Sequence, residues 1–422
     1  MRILVIGGGG REHAIAKALT KNVAVEQIWM APGNGGTENF CENVPIAATD
    51  LQGILKFCLE NQPDFVVVTP DDPLALGMVD LLEDNGFQCF GPTKAAARLE
   101  WSKNYAKEFM AKYHIPTASY HLCLNAAEAA EYVKTCPVPV VLKMDGLAAG
   151  KGVVVCKTRE EAVKAQKTLC KGKEDQQVLF EEMLTGPEVS VLCFTDGETI
   201  VPMPAAQDHK RAFDGDEGPN TGGMGAYSPV SDYTPAMADV CMHEIFLPTI
   251  QGMQQEGHPF KGVLYVSLML TVDGPKVIEY NARFGDPETQ VVLPLLTSDL
   301  LNIMIACRAG RLARARVKFL DTSSACVVMA SGGYPGSYEK GKVIRGLDEA
   351  AKYGTIYHAG TQRRPDGTFV TSGGRVLCVS SLGRSLRQAL KNCYKGVEYI
   401  SFDGAFYRKD IGSKDASISK ED

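Results

Sequence analysis

The sequence has no excess of positive charge and no long apolar run. Lys and Arg number 44 against 50 Asp and Glu, so the net charge is −6, which excludes a strongly basic protein wrapped along nucleic acid. No apolar run approaches the ~20 residues that span a bilayer. The N-terminus reads as a strand that runs into glycines, not as a signal peptide. We therefore expect a soluble, cytoplasmic protein that binds neither nucleic acid nor membrane.

The sequence also lacks the cysteine and histidine spacing of a metal cluster or a disulfide scaffold. Its 13 cysteines form no Cys-x-x-Cys pair, and its histidines stand at no zinc-ligand spacing. Several cysteines, such as Cys193 and Cys326, lie within apolar runs. We expect them to be small buried side chains in a reducing compartment.

Glycine, by contrast, is abundant. It accounts for 42 of the 422 residues, about a tenth, against a usual ~7%. Apolar residues make up 45% and charged residues 22%, which is typical of a globular protein. At ~150 residues per domain the length corresponds to roughly three domains. A glycine surplus without collagen periodicity indicates tight turns or ligand loops lined by backbone.

Short β-rich runs alternate with helical patterns near the N-terminus. Strands are predicted at residues 2–6, 25–30, 65–69 and 88–90, and helices at residues 11–19 and 79–83 and in a stretch that ends near residue 60. This alternation predicts a parallel sheet with helices on both faces.

The pattern changes after a helix predicted at residues 101–113. Strands follow at residues 138–143, 152–155, 178–182 and 188–194, with a helix at 159–169, a long loop at 207–225, and a hairpin of 263–271 with 276–281. From about residue 325 come short strands at 326–330, 355–358 and 374–379 and a helix at 385–394. The polar residues 413–422 are expected to fray.

A first glycine loop, residues 7–10, follows a strand and opens a helix, where backbone N–H groups and the helix dipole can hold a phosphate. A dinucleotide site is disfavoured because Glu12 or His13 occupies the third glycine position and no acid follows the second strand. We interpret the loop as a monophosphate site, with a plain glycine turn as the alternative. A second glycine-rich loop, residues 32–37, lies at the same sheet edge.

Lys143 ends a predicted strand and precedes a glycine-rich loop at residues 144–152. The loop fails the P-loop pattern in its spacing, and a strand rather than a helix follows it. We interpret it as a hairpin flap that closes over phosphates, with Lys143 supplying positive charge; a solvated loop is the alternative. Glu181 and Glu188 stand near strand ends, where they can accept hydrogen bonds from adenine and ribose or can equally be solvated.

Glu279 and Asn281 lie two apart on a predicted strand and therefore on one face. A carboxylate and an amide oxygen form the kind of partial shell that Mg²⁺ accepts when phosphates and water complete it. Arg283 follows at once and is a candidate clamp for a transferring phosphoryl group. Alone this pattern is weak, but it gains weight after a lysine strand and a glycine flap.

Taken together, these motifs resemble the ATP-grasp ligases, and among them the glycinamide ribonucleotide synthetases (phosphoribosylamine–glycine ligases). The matching stretches are residues 7–14, 32–37, 91–97, 143–152, 207–211, 218–229, 278–290 and 330–335. The resemblance implies a mixed α/β fold with a parallel-sheet preATP-grasp domain at residues 1–101, an ATP-grasp domain at 102–324 and a small β-rich domain at 325–422. Residues 120–193 would form the lid. No fused later enzyme is expected, and a monomer is favoured over a dimer.

The resemblance also implies a reaction in which ATP, 5-phosphoribosylamine and glycine give ADP, phosphate and glycinamide ribonucleotide, in the second step of purine synthesis. It assigns residues to ATP, to Mg²⁺ or Mn²⁺, and to the other two substrates. The ATP set is Lys103, Lys143, Gly150, Gly152, Glu181, Leu184 and Glu188. Glu279 and Asn281 would bind the metal, and Gly8, Gly9, Gly10, Asn34, Asp208 and Arg283 would line the site for phosphoribosylamine and glycine. Lys143, Arg283 and Asp208 would act in catalysis, Asp208 as a proton acceptor or simply as an ion-pair partner of Lys210 or Arg211.

One loop departs from the family pattern. Thr69 and Asp71 stand where the family usually has glycine and glutamate, and Asp72 adds a second acid. A threonine would be incompatible with this position only if the backbone φ there were positive. Two other classes of function remain open: an ATP-grasp ligase for a different acid and amine, and a non-catalytic nucleotide-binding protein.

Overall fold

A computed structural model describes residues 1–147 and 152–419 of the chain. Its N-terminal part contains a parallel sheet of five strands in the order β3-β2-β1-β4-β5. The strands are β1 (Arg2–Gly7), β2 (Gln27–Pro32), β3 (Glu42–Asn43), β4 (Phe65–Val68) and β5 (Cys89–Phe90), and the helices are α1 (Gly10–Leu19), α2 (Leu51–Asn61), α3 (Asp71–Leu76) and α4 (Met78–Asp84). The predicted parallel sheet is confirmed, and its carboxyl edge carries the first glycine loop.

The helix expected at residues 101–113 is in fact two helices, α5 (Arg98–Trp101) and α6 (Lys103–Lys112). Ser102 separates them with an extended backbone (φ −130°, ψ 103°). Its hydroxyl oxygen accepts a hydrogen bond from the Tyr105 N–H and so caps α6. A serine inside an apparently continuous helical pattern was the signal for this N-cap.

A small antiparallel sheet, called here the lid sheet, follows in the order β6-β9-β7-β8. Its elements are β6 (Tyr120–Cys123), α7 (Ala126–Tyr132), β7 (Val140–Met144), β8 (Val153–Cys156), α8 (Arg159–Leu169) and β9 (Val178–Glu182). The two helices cover one face and bury a separate apolar cluster that includes Leu142 and Phe180. The lid sheet therefore has a core of its own, which suits a part that moves as a unit.

A second antiparallel sheet, in the order β11-β10-β16-β17, forms the floor opposite the lid sheet. This region contains β10 (Glu188–Asp196), β11 (Ile200–Pro202), β12 (Gln207–Asp208), β13 (Arg211–Phe213), β14 (Glu217–Asn220), β15 (Gly225–Ser228), α9 (Pro235–Cys241), α10 (Leu247–Gln255), β16 (Lys261–Thr271), β17 (Gly274–Asn281), α11 (Thr289–Val292) and α12 (Leu300–Arg308). The predicted hairpin of β16 and β17 is confirmed. The long loop expected at residues 207–225 is wrong in part, because β13 and β14 pair around Gly215, whose φ is +72°.

The C-terminal part completes a sheet that begins in the middle of the chain. Strands run in the order β12-β15-β18-β22-β19, so β15 pairs directly with β18. The elements are β18 (Ser323–Ala330), α13 (Leu347–Ala350), β19 (Thr355–His358), β20 (Thr361–Arg363), β21 (Phe369–Thr371), β22 (Arg375–Gly383), α14 (Leu386–Tyr399) and α15 (Ala416–Ser419). Helix α14 runs five residues past its expected end, because Cys393, Gly396 and Val397 continue its buried face.

The expectation that residues 413–422 fray is wrong for the part that the structure describes. Asp415 is buried, and its carboxylate accepts hydrogen bonds from the Ser231 N–H (3.1 Å) and hydroxyl (2.9 Å). It also caps α15 through the Ser417 N–H. Polar composition suggested a loose tail, but the partner that holds it lies 184 positions earlier in the sequence.

The cysteines match the expectation from the sequence. All thirteen are free thiols, and all except the half-buried Cys41 are buried. Burial raises the pKa of the Cys58 thiol to about 12, which makes it a poor nucleophile. Among the helices of the described residues, none has both the length and the apolar character needed to cross a bilayer.

Two buried histidines join the N-terminal and C-terminal parts. His13, on α1, stacks on His358, on β19, with ring centroids 5.8 Å apart, and its Nδ1 accepts a hydrogen bond from the His358 N–H (3.2 Å). Burial lowers the pKa of His13 to about 3, with a further contribution from His358, and burial lowers the pKa of His358 to about 4. Both rings are therefore neutral at physiological pH.

We expect Asp415→Ala to lower the free energy of unfolding by about 2 kcal/mol, because it removes several hydrogen bonds to a charged acceptor. Urea unfolding at neutral pH measures the change. Asp321→Ala, at an exposed aspartate, is the control and should shift stability by less than about 0.5 kcal/mol. Equal stability of the two variants would contradict an anchoring role for Asp415.

We expect stability to fall between pH 7 and pH 5, in part because of His13. Its pKa is about 3 in the fold, against the ordinary histidine value of 6.5, so below pH 6.5 the unfolded chain takes up a proton that the folded chain does not. His13→Gln should therefore lose about 2 kcal/mol less than the parent over this range, whatever its stability at pH 7. Urea unfolding at both pH values tests this, with His243→Gln, at an exposed histidine, as control. Parallel pH profiles for parent and His13→Gln would refute the interpretation.

Candidate active site

Three buried charged side chains lie where the lid sheet meets β17; we call them the lysine–glutamate cluster. Lys143 on β7 and Lys107 on α6 both contact Oε2 of Glu181 on β9, at 3.0 and 3.2 Å. The three residues are 4%, 2% and 3% exposed. Lys143 also donates to the carbonyl of Ile278 on β17 (3.1 Å), so its ammonium spans the two sheets.

The cluster contains two cations and one anion, so it is positively charged and buried. Oε1 of Glu181 is buried and has no hydrogen-bond partner within the described residues. Burial lowers the pKa of the Lys107 ammonium to about 8, and the positive charge of Lys143 contributes to this lowering. Glu181 acts in the opposite direction. Uncompensated positive charge and a free carboxylate oxygen together suit a ligand that carries both phosphates and hydrogen-bond donors.

The flap predicted after Lys143 is tied to the start of α6. Lys103 donates to the carbonyl of Gly146 (2.8 Å), and the Asn104 N–H donates to Asp145 (3.2 Å). Gly150 lies outside the described residues. Gly152 is buried, and its carbonyl accepts from the Met144 N–H (2.8 Å), which closes the base of the flap.

Two more of the predicted ATP residues lie along the segment that leads from the lid sheet to the floor. Leu184 is half-buried between β9 and β10. Glu188 begins β10, where its Oε1 accepts from Lys210 and from the Ser267 hydroxyl (3.1 Å). Lys210 is thus paired with Glu188, and Arg211 donates to the Gly218 carbonyl (2.7 Å).

Glu279 and Asn281 lie on β17, opposite Ser267 and Tyr265 of β16, and they share a face as predicted. Burial alone would raise the pKa of Glu279, but Lys210, Lys143 and other nearby cations hold it below its usual value. Glu279 is therefore a carboxylate at neutral pH. Oδ1 of Asn281 accepts from Arg283 (3.1 Å) and retains a second lone pair. A charged carboxylate beside an amide oxygen is a donor set that fits Mg²⁺.

Arg283 connects this floor to the N-terminal part. Besides Asn281 it contacts Glu100 at 3.0 Å, and Glu100 also accepts from the Ala282 N–H (2.8 Å). Burial alone would lower the pKa of Arg283, but the carboxylates of Glu100 and Asp71 raise it above its usual value. The Nε of Arg283 is buried and has no hydrogen-bond partner within the described residues. Glu100 carried no sequence signal, because it lies in a short helix without a motif.

The two glycine loops at the sheet edge lock together. A side chain at Gly8 would collide with the Gly33 carbonyl oxygen, so the first loop requires glycine there. Asn34 donates to the carbonyls of Gly8 (3.0 Å) and His358 (2.9 Å), which ties both loops to the C-terminal part. Its Oδ1 accepts from the Gly36 N–H, so the side chain is fully engaged with backbone.

Glu12 explains the break in the dinucleotide pattern. Its carboxylate accepts from the Gly9 N–H (2.8 Å) and from the Thr69 hydroxyl (2.8 Å). Gly10 begins α1, so the N-terminus of that helix is aimed at the same edge. Thr69 has no positive φ and is accommodated, while its carbonyl accepts from Arg11 (2.8 Å). Burial alone would raise the pKa of Asp71, but the nearby Arg283 and Arg11 hold it below its usual value.

Asp208, on β12, has a buried Oδ1 without a hydrogen-bond partner within the described residues. Burial raises its pKa well above the usual value, and the nearby Glu288 raises it further. Glu288 accepts from the Tyr265 hydroxyl (2.6 Å).

Arg375, on β22, donates to the carbonyls of Gly222 and Asp286 (both 2.7 Å) and so holds the loop before β15 against this site.

The structure thus brings the predicted residues to two adjoining regions. The lid sheet, α6, the segment that leads into β10 and β17 carry the residues predicted for ATP and metal. The glycine loops, Asp208 on β12 and Arg283 just after β17 carry those predicted for the other substrates. The residues that sequence reasoning missed are mostly charged partners of predicted ones: Arg11, Glu12, Glu100, Lys107, Glu288 and Arg375. Apart from Glu12, whose contact with the Gly9 N–H is local, each acts across the fold, so no local spacing could reveal it.

Comparison with known proteins gives a family match along most of the chain. Residues 1–100 match the N domain, residues 101–289 the ATP-grasp (A) domain and residues 324–414 the C domain of phosphoribosylglycinamide synthetase. A phosphoribosylamine–glycine ligase from Halalkalibacterium halodurans is 47% identical, covering 98% of this chain and 97% of that protein. The human trifunctional purine biosynthetic protein adenosine-3 is also 47% identical, but the match covers only 42% of its length.

Solved structures agree with the sequence match. The crystal structure of phosphoribosylamine–glycine ligase from Thermotoga maritima has a TM-score of 0.84 and 36% identity, covering 98% of this chain and all of that one. The biotin carboxylase domain of a Hydrogenobacter thermophilus 2-oxoglutarate carboxylase shares the fold, with a TM-score of 0.72 at 15% identity, covering 96% and 91%. The chain belongs to the phosphoribosylglycinamide synthetase family of ATP-grasp ligases.

Proposed function

We propose that this protein ligates glycine to 5-phosphoribosylamine, converting ATP to ADP and phosphate and giving glycinamide ribonucleotide. One observation carries the chemistry: β17 brings Glu279 close enough to Lys143 of the lysine–glutamate cluster for their charges to interact, and it ends in Asn281, which accepts from Arg283. The full-length relative named for this reaction supports the choice of substrates.

ATP would lie between the lid sheet and β17. Lys143 and Lys103 would contact its phosphates, and the glycines of the flap, Gly150 and Gly152, would close over them. Glu181, whose Oε1 is buried and free, would accept from the adenine amine or a ribose hydroxyl. Leu184 and Glu188 would complete the base and ribose site.

Mg²⁺ or Mn²⁺ would be held by Glu279 and Asn281. When bound, the ion would neutralise phosphate charge during phosphoryl transfer. Within the described residues no group of three or more His, Cys, Asp and Glu could hold a metal ion. The two protein ligands would therefore act together with the phosphates of ATP, an arrangement usual for Mg²⁺.

Phosphoribosylamine and glycine would bind along the carboxyl edge of the parallel sheet. Gly8, Gly9 and Gly10, at the start of α1, would line the phosphate site; the N–H groups of Gly8 and Gly10 would donate to the phosphate, because that of Gly9 donates to Glu12. Asn34 would contribute by fixing this loop, since its own donors are engaged with backbone. Arg283 would lie beside both glycine and the transferred phosphoryl group.

The chemistry is positioning and charge stabilisation. The glycine carboxylate attacks the γ-phosphoryl group, the bond between that group and the β-phosphate oxygen breaks, and glycyl phosphate and ADP form, while Lys143 and Arg283 stabilise the developing charge. The amine of phosphoribosylamine then attacks the glycyl carbonyl and releases phosphate. Asp208, with its raised pKa and a free oxygen, would accept the amine proton. The lid, residues 120–193, would exclude the water that destroys acyl phosphates.

We expect ADP release that requires ATP, glycine and phosphoribosylamine together. A coupled assay with each component omitted in turn measures this. Turnover without glycine, or equal turnover with another amino acid at the same concentration, would favour a ligase for a different acid. Absence of turnover with ADP binding intact would favour a non-catalytic nucleotide-binding protein.

Glu279→Gln should preserve the fold and lower kcat by a factor on the order of 100 or more, because a neutral amide weakens metal binding at the phosphates. Excess Mn²⁺ should recover part of the loss. Glu244→Gln, at an exposed glutamate, is the matched control and should leave kcat unchanged. Near-normal activity of Glu279→Gln would remove Glu279 from the mechanism.

A further inference from the structure

Lys107 is the member of the lysine–glutamate cluster to which neither the sequence nor the comparisons assign a role. It follows Lys103 by one turn of α6, so the two lysines lie on the same side of the helix. Lys103 reaches the flap, whereas Lys107 points into the protein and is 2% exposed. A lysine is rarely buried so completely unless its charge is paired.

The ammonium group of Lys107 has three protons and three acceptors. It contacts Oε2 of Glu181 (3.2 Å), the Thr117 hydroxyl (2.8 Å) and the Ala118 carbonyl (3.2 Å). All of its donors are therefore used inside the protein. It has none left for a nucleotide, so any effect on the bound nucleotide must act through its partners.

Two of these partners connect the cluster to the floor. The Thr117 hydroxyl accepts from Lys107 and donates to the Val277 carbonyl on β17 (2.6 Å). The Val277 N–H donates to the Pro116 carbonyl (2.8 Å) in the same segment. Residues 116–118 lead into β6, the first strand of the lid sheet. Lys107 thus lies where the entry to the lid, the strand with Glu181 and β17 come together.

The geometry of Glu181 shows what this junction achieves. Lys107 and Lys143 both contact Oε2, and Oε1 remains buried without a partner in the part of the chain that the structure describes. With Lys143 alone the carboxylate could rotate and bring either oxygen to that lysine. With a cation on each side of Oε2, Oε1 stays directed away from both and free for a ligand.

We propose that Lys107 is a positioning residue for nucleotide binding: it fixes the Glu181 carboxylate so that Oε1 faces the nucleotide, and it anchors the lid entry to β17. The inference rests on the proposed function only in placing the nucleotide beside Glu181. Lys107 itself touches no substrate.

Lys107→Met removes the ammonium group while keeping a long apolar stem. We expect the Kd for ADP, measured by calorimetry without the other substrates, to rise about tenfold, because a charge-assisted contact that orients Glu181 is lost. The KM for ATP should rise by a similar factor while the KM for glycine stays within about twofold. Lys107→Arg should restore most of the ADP affinity.

Lys112→Met is the matched control. Lys112 lies on the same helix, is exposed and pairs with Glu256 (2.6 Å). It should bind ADP as the parent does. Circular dichroism and thermal melting of each variant would separate a loss of fold from a loss of nucleotide binding.

A double-mutant cycle that combines Lys107→Met with Glu181→Gln tests whether Lys107 affects ADP binding through Glu181. If Lys107 acts through Glu181, then Lys107→Met should weaken ADP binding less than about twofold further in the Glu181→Gln background. Additive losses would overturn the proposal, as would parental ADP affinity in folded Lys107→Met. Equal losses in the KM values for ATP and glycine would indicate a general structural role and would also overturn it.

If Lys107→Met does not fold, Thr117→Val is the variant that tests the proposal in its place. It removes one partner of Lys107 at constant volume and should weaken ADP binding about threefold. Parental ADP affinity in folded Thr117→Val would then refute the proposal. Because ADP binding is measured without turnover, failure of the ligase assay alone would leave this inference standing.

Discussion

The whole site depends on burying several charges that only distant parts of the chain can balance. Two lysines are removed from water where the lid sheet meets β17, an arginine is largely shielded just beyond the end of β17, and each requires an anion. Glu181 serves Lys107 and Lys143, and Glu100 serves Arg283. These partners come from the lid sheet and from the end of the N-terminal part. The site therefore exists only when the separate parts are assembled, and its charges help to assemble them.

A second constraint is the close approach of backbone to backbone at the sheet edge. The Gly8 and Gly33 loops pack so tightly that a Cβ on Gly8 is excluded, and Asn34 holds both loops to the carbonyl of His358. Much of the glycine surplus has this use. At the start of α1 the Gly9 and Arg11 N–H groups already donate to the carboxylates of Glu12 and Asp286, so a phosphate at this edge depends on the remaining N–H groups and on the helix dipole.

Local patterns were enough to predict the parallel sheet, the β16–β17 hairpin and the pairing of Glu279 with Asn281 on one face, because each follows from the side-chain period of a strand. The residues that complete the site were not predictable in this way. Lys107 reads as an ordinary helix-surface lysine, and Glu288 as one more acid in a loop. The anion that lets Lys107 be buried, Glu181, lies 74 positions later in the sequence, and Glu288 is held by the Tyr265 hydroxyl on β16. The docked tail was missed for the same reason.

Arg283 shows how the two halves of the site constrain each other. On one side it contacts Asn281 of the metal pair, and on the other it contacts Glu100 and has a charge interaction with Asp71 at the start of α3. A ligand phosphate near Asn281 would compete with these carboxylates for the same guanidinium. Occupation of the nucleotide region must therefore alter the electrostatic environment of Asp71, and a charged ligand at Asp71 must alter that of Asn281 in return.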